Sequence, residues 1–467
     1  MDNKKICNEE MTVPECELAI LRHSIDETES IQKSKIANAD DVKHMINILE
    51  GFLRKKKSIC YGGSAINNIL PENAQFYDRS IDIPDYDFFC LRPSIDAKEL
   101  ADLYFKAGFT EVEAKSGIHK GTFKVFVNYI PIADLTQLNP KIFKSIQKDA
   151  IIIDGIYYAP PNYLRMGMFL ELSRPAGDTS RWEKVFKRLN LLNEYYPLKA
   201  PYNCNQKKAN PKDGQKGFDE DKVFVILRES LADQGVVFFG GYAASLYTKY
   251  MGKAYNRRIP DFDVISDDIN KSSNIIKEQL TEAGIRNVRT IYHKNTDDVI
   301  PEHMEVLIGK QRVLFIFKPL ACYNYNEIQL GGHSIKVATM DTMLSFYLAF
   351  VYSGEVYFDS DRIMCMAQML FDLEQKNRVN RKGLLKRFSA NCYGEQPTLA
   401  TIRAEKSEKF KEFKEKGVKR GSPEWNEWFF KYSPQEVGNL NKYGNNLRTQ
   451  KRRRIRRRRT TIRSLFF

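Results

Sequence analysis

Long hydrophobic runs are missing from this sequence. The longest, MLSFYLAFVY at 343–352, is far short of the ~20 apolar residues that a membrane helix needs. The first fifteen residues, MDNKKICNEEMTVPE, lack the apolar stretch of a secretory signal. A soluble, intracellular chain is therefore expected. Metal-binding cysteine patterns are missing too. Of the eight cysteines, none forms a CxxC or stands at zinc-ligand spacing from a histidine, so zinc-ribbon and thioredoxin-type sites are not expected. Cysteines scattered through a long chain are expected to be reduced, as in a cytosolic protein. Two phosphate-binding signatures are also absent. There is no G-x-G-x-x-G after a strand and no G-x-x-x-x-G-K-[ST], which argues against dinucleotide-binding and P-loop enzymes.

Acidic residues are outnumbered. Lysine and arginine total 73 against 59 aspartates and glutamates, a net charge of +14 over 467 residues. A polyanionic partner is the natural reading of that balance. Most of the excess lies in RTQKRRRIRRRRTTIR at 448–463, which holds ten basic residues and no acidic one. Lys451, Arg452, Arg453, Arg454, Arg456, Arg457, Arg458 and Arg459 are its candidate RNA-binding residues, with a flexible solvated tail or a nuclear-import-like patch as the plain alternatives. With 42% apolar and 12% aromatic residues, the rest of the chain can build packed domains.

Two stretches share one pattern. YGGSAIN followed by IPDYDFF (61–89) recurs as FGGYAAS followed by IPDFDVI (239–265). Gly62 and Gly240 are 178 residues apart, Asp85 and Asp261 are 176 apart, and so are Gly108 and Gly284. Landmarks in one order at nearly one offset indicate an internal duplication. Each copy reads as helix, short strand, glycine turn, helix, then a strand opening on D-x-D. Asp40 or Asp41 is expected to cap the first helix, and Asn162 and Asp341 to be matching caps further on. The expected fold class is α/β (α+β), two tandem modules, each a small mixed sheet with flanking helices, the second degenerate. The expected division is an extension at 1–40, a catalytic module at 41–197, a linker at 198–217, a degenerate module at 218–376, a charged helical appendage at 377–437 and a basic, disordered tail at 438–467.

The chemistry in the first copy is that of phosphoryl transfer. Gly62 and Gly63 let backbone N–H groups approach a phosphate, and Ser64 adds a hydroxyl at a helix start. Asp85 and Asp87 stand two apart, so on a strand they share a face and can hold divalent ions together. They are preferred to Asp78 and Asp82, which sit in the preceding loop. Asp134, in TFKVFVNYIPIADLTQL (122–138), is an acid among apolar residues, as a third metal ligand would be. In the second copy Ser64 becomes Tyr242, read as a ring in the phosphate position. The counterpart of Asp134 falls near 315–317, where no carboxylate stands. That copy is expected to be inactive.

The run YGGSAIN, IPDYDFF, AGF, IPIADLTQLNPKIFKSI, APPNYLRMGMFLELSRP and RWEKVFKRL resembles the catalytic subunits of viral poly(A) polymerases. These are members of the nucleotidyltransferase superfamily that includes DNA polymerase β. The likeness is densest from about residue 59 to 197 and leaves out the last ninety residues or so. It implies a template-free polymerase that adds adenylate from ATP to the 3′ end of mRNA and releases pyrophosphate. Gly62, Gly63 and Ser64 would then seat the nucleotide phosphates, and Asp85, Asp87 and Asp134 would hold two Mg²⁺ (or Mn²⁺) ions. The resemblance further implies a homodimer or a cap-methyltransferase-type partner, in the host cytoplasm or the virion. Uridylyl- or CCA-adding activity, and a non-catalytic RNA-binding subunit, are the alternatives.

Overall fold

The computed structural model describes residues 6–7, 11–78, 80, 82–200, 204, 218–250, 261–377 and 383–435. They fall into two compact units. One comprises the described residues of Met1–Gln137, Ile152–Tyr158 and Lys406–Phe467, and the other those of Leu138–Ile151 and Ala159–Glu405.

Sixteen strands are described: β1 (Ile59–Tyr61), β2 (Tyr86–Cys90), β3 (Val112–Ser116), β4 (Thr122–Val127), β5 (Ile130–Gln137), β6 (Ile151–Ile153), β7 (Ile156–Tyr158), β8 (Val237–Phe238), β9 (Phe262–Ile265), β10 (Val288–His293), β11 (His303–Ile308), β12 (Gln311–Phe317), β13 (Tyr323–Leu330), β14 (His333–Ala338), β15 (Cys392–Tyr393) and β16 (Lys431–Tyr432). They form two sheets, in the orders β16-β3-β4-β5-β2-β1-β7-β6 and β10-β11-β12-β9-β8-β14-β13-β15. Without one edge strand each, the orders are the same. In both, the D-x-D strand runs parallel to the strand after the hairpin (β2 with β5, β9 with β12) and antiparallel to the strand before the glycine turn. The duplication expected from the sequence is thus a duplication of topology.

Alternation along the strands divides the first sheet into a core face and a site face. Tyr86, Phe88, Phe123, Val125, Ala133 and Leu135 are buried. The helices Asp40–Lys56 and Pro93–Lys106 supply the apolar layer for the core side. Phe52 lies 6.4 Å from Phe88 between ring centres, and the Tyr104 hydroxyl donates to the Met45 carbonyl at 2.9 Å. Ala97, Leu100, Ala101 and Tyr104 recur at helical spacing and are all buried, the stripe that binds a helix to a sheet. The hairpin between β4 and β5 turns through Asn128 and Tyr129, both at positive φ. It returns the chain so that Asp134 lies beside the D-x-D strand.

Several local expectations are corrected. A helix Val13–Ala37 comes first; the next, Asp40–Lys56, is preceded by Ala39, with Asp40 and Asp41 in its first turn. Pro160 and Thr339 stand at the N-cap positions where Asn162 and Asp341 were expected. Propensity does not fix a helix boundary to one residue. The charged appendage contains the helices Leu399–Glu415 and Pro423–Phe429 and then β16, which pairs with β3 and extends the first sheet. Six cysteines are bonded, as Cys7–Cys16, Cys204–Cys365 and Cys322–Cys392, while Cys60 and Cys90 are buried thiols. The pairing follows from proximity in the fold. Cys322 flanks β13 and Cys392 lies on β15, its neighbour, yet they are 70 residues apart in sequence. The argument from reduced thiols to a reducing compartment therefore falls. Among the described residues no helix is long and apolar enough to cross a membrane.

Candidate active site

Four strands of the first sheet carry one row of side chains. Tyr61 on β1 is opposite Asp87 on β2, Asp87 is opposite Asp134 on β5, and Asp134 is opposite Lys124 on β4. Directly opposed residues share a face of a sheet, so the row stands on the site side. The sequence placed Asp85 on the strand with Asp87. In the structure it lies just before β2 begins, and it still belongs with the group. Crowding by neighbouring atoms raises its carboxyl above the usual range, the charge of Asp134 adds to this, and Lys124 opposes it. Lys124 Nζ meets Asp134 Oδ2 directly. Asp87 and Asp134 are thus neighbours across parallel strands, and Asp85 is near enough for the charge of Asp134 to act on it.

The glycine turn leans on this row. A β-carbon on Gly62 would stand 2.6 Å from Asp87 Oδ2, and Gly62 has φ +75°. Both the close approach and the conformation require glycine. The helix Gly62–Ile69 starts at that point, which turns the free N–H groups of its first turn, and the positive end of its dipole, toward the acids. Ser64 is buried, and its hydroxyl donates to the Asp85 carbonyl at 2.6 Å. That bond ties the turn to the D-x-D segment. It would have to be exchanged before the hydroxyl could serve a phosphate. Asp78 and Asp82 serve the loop itself: Asp78 accepts from the backbone and side chain of Ser80, and Asp82 from the Asp78 backbone.

Sequence reading missed three contributors. Lys124 is one. Asn67 and Asn68 are the others, lining a cavity of about 100 Å³ together with Ser64, Tyr77, Asp82 and Asp85. Asn67 Oδ1 accepts from the backbone of Phe76 and Tyr77 and so shapes the loop over the cavity. The available signal was an adjacent polar pair inside the otherwise apolar SAINNIL. Tyr61 stacks on Phe89 at 3.9 Å, and its hydroxyl meets Thr136 at 2.9 Å. Burial, and then Asp87, push that hydroxyl far above the usual phenol range. Residues 451–459 lie outside the described residues.

The second copy differs where the chemistry would be. Phe315 stands opposite Asp263 in the register held by Asp134, and Glu305 stands opposite Phe315 in that of Lys124. Arg362 grips both oxygens of Asp261, through Nη1 at 2.7 Å and through Nη2. Burial and Asp261 raise the Asp263 carboxyl, against Arg312 and Arg362. Tyr242 does not occupy a phosphate position. Its ring is buried among Phe224, Phe238 and Phe262, at 5.0–5.9 Å between centres. The turn is closed by Arg362 instead, whose Nη2 would lie 3.1 Å from a β-carbon on Gly241. We expect Arg362→Ala to lower the melting temperature of the second unit, because the acids it faces lose their counter-charge. Chemistry at the first row should stay within about threefold of wild type for protein that remains folded, since Arg362 lies outside that row. Thermal melts paired with single-turnover assays check this.

The two sheets share one topology, and only the first carries the acid row at its glycine turn. The crystal structure of the Megavirus polyadenylate synthase has this fold, matching with a TM-score of 0.76 over 96% of this chain and 92% of that one, at 17% identity. Residues 47–178 match the family model of the poly(A) polymerase catalytic subunit. An African swine fever virus protein (strain Badajoz 1971 Vero-adapted) assigned as a poly(A) polymerase catalytic subunit is 30% identical over 219 residues, 46% of this chain and 42% of that protein. A protein of Acanthamoeba polyphaga mimivirus with the same assignment is 29% identical over 159 residues, 33% of this chain and 26% of that one. The matches span less than half the length of these curated relatives. The stretch that matches the family model, residues 47–178, includes the glycine turn and the acid row.

Proposed function

We propose that the protein is a template-independent polynucleotide adenylyltransferase, transferring AMP from ATP to an RNA 3′ end. The observation that carries the proposal is the row itself: Asp87 and Asp134 side by side on parallel strands, Asp85 beside them, and the glycine turn against Asp87. Among the described residues no three acid, histidine or cysteine side chains are already arranged to hold a metal ion. The donor set nonetheless fits one. Carboxylate oxygens are the ligands that Mg²⁺ and Mn²⁺ take. Asp85, Asp87 and Asp134 would hold the ions, which when bound stabilise the attacking and leaving oxygens of phosphoryl transfer.

The chain's own groups supply the rest. The first turn of Gly62–Ile69 would seat the phosphates of ATP on its free N–H groups. Asp134 would take the proton of the RNA 3′-hydroxyl as its oxygen bonds to the α-phosphorus, and the bond to the β-phosphate bridge breaks to release pyrophosphate. The named relatives are viral, which makes an infected host cell, and there the cytoplasm, the proposed setting. Incorporation of each of the four nucleotides on a short RNA primer tests the reading. Selective addition of AMP is expected. Addition of UMP, or of CMP with a terminal AMP, would reassign the substrate, and no addition at all would favour a non-catalytic subunit.

The basic tail is proposed to hold the product RNA. Deleting the residues after 444 should weaken RNA binding and flatten its dependence on salt. The logarithmic slope should fall by about 0.7 for each phosphate of a single strand that the tail had neutralised. An unchanged slope would free the tail from that role.

A further inference from the structure

Past Asp134 the row of the first sheet turns basic, with Lys124 on β4 and Lys115 opposite it on β3. Lys124 lies directly opposite Asp134, and its Nζ meets one carboxylate oxygen, Oδ2. A lysine facing an aspartate across two strands is a common pairing, worth roughly 0.2–1 kcal/mol, and by itself assigns nothing. Two other observations give it a role. The acid it engages is the one beside Asp87, while Asp85 and Asp87 lie on the far side of Asp134 from β4. And the chain contains its own comparison. In the second sheet the same two register positions hold Phe315 and Glu305. Where the third acid is missing, the lysine is gone as well, although the paired aspartates remain as Asp261 and Asp263. A lysine kept only for solubility has no reason to vanish with the acid, whereas one that serves the acid does.

We infer that Lys124 is a positioning residue of the adenylyl-transfer site, holding one oxygen of Asp134 so that the other stays available to the ion and to the 3′-hydroxyl. The inference rests on the function proposed above. An aspartate side chain can rotate about two bonds, and a carboxylate crowded by two others is pushed away from them. An ion pair on its outer oxygen restrains both motions. Partners that orient a metal-binding carboxylate in this way are worth about 10–100-fold in metal affinity or activity.

The test uses the full chain with Lys124→Met and Lys124→Arg, after thermal melts have shown that both fold. Lys124 is partly exposed, at 38% of its side chain, so neither change should prevent folding. Two readouts are needed. In steady-state AMP incorporation, Lys124→Met should lower kcat by about 10–100-fold with the KM for ATP little changed, and Lys124→Arg should recover most of the loss. In the absence of turnover, Mn²⁺ titrated alone and followed by electron paramagnetic resonance should bind Lys124→Met about tenfold more weakly than wild type. Equal or tighter Mn²⁺ binding in Lys124→Met would overturn the inference, the latter by showing the lysine to be merely a competing charge. A raised KM for ATP with kcat preserved would also overturn it, since the lysine would then act on the triphosphate. If wild type binds Mn²⁺ but adds no nucleotide, the adenylyl-transfer reading fails, while the Mn²⁺ arm still decides whether Lys124 orders Asp134.

Discussion

Asp85→Asn and Asp87→Asn should each reduce AMP incorporation by at least about a thousandfold, as removal of one member of a catalytic unit does elsewhere. Asp85→Asn should do so without lowering the melting temperature. The two halves of the prediction come from the same geometry. The carboxyl of Asp85 is raised above its ordinary range by crowding and then by Asp134. A group whose folded pKa exceeds its unfolded value costs the fold stability as pH rises through that interval, because the charged form is the one disfavoured. At neutral pH the wild-type protein carries this cost, and asparagine removes it while keeping nearly the same shape. Sites that gather like charges for chemistry are commonly less stable than their neutral variants. Melting curves and primer-extension assays at pH 7.5, run on the same preparations, check both halves. A variant that keeps its activity would remove Asp85 from the site. A variant that melts well below wild type would show the residue to be structural.

The glycine turn, the D-x-D pair and the third acid were legible in the sequence because each is announced locally. Gly62 marks a place where no β-carbon fits, D-x-D has the period of a strand, and Asp134 stands out in an apolar run. The duplication was legible because it preserves spacing. What escaped were the partners. Lys124 sits in TFKVFV, where alternation makes it look like any solvent-side residue, and only the β4–β5 register shows that it faces Asp134. Arg362 closes on Asp261 from 101 residues away. β16 joins β3 across more than 300 residues of sequence. Tyr242 was misread for a related reason. Its position in the motif matches Ser64, but a ring can turn into an apolar core that a hydroxyl would avoid, and Phe224, Phe238 and Phe262 provide one. Local pattern reveals which residues need a special environment. It does not say which distant side chain supplies it.

Asp341 shows the same limit and leads to the largest stability effect expected. Its carboxylate is fully buried near the start of the helix Met340–Tyr352 and is gripped by Arg387, whose Nε lies 3.0 and 2.7 Å from its two oxygens. The same guanidinium reaches Glu374 through Nη1, and no side chain of the three is more than 4% exposed. One cation thus serves two buried anions from two different helices. Arg387→Met should destabilise the second unit by about 3–5 kcal/mol, the range for removing one partner of a buried ion pair. Both buried carboxylates would lose this counter-charge, and burial disfavours the charged form of each. The destabilisation should then be largest above the ordinary carboxylate range and be partly relieved as pH falls toward it. The triple variant Arg387→Met, Asp341→Asn, Glu374→Gln should recover much of the stability at every pH, since no charge remains to be buried. Trp182, 5.7 Å from Phe388, reports on this unit once Trp425 and Trp428 are changed to phenylalanine. Urea melts of the single and triple variants at pH 5 and pH 8 separate the cost of an unpaired charge from that of poorer packing. If the single variant is destabilised equally at both pH values and the triple variant recovers nothing, the triad holds the unit together by shape alone.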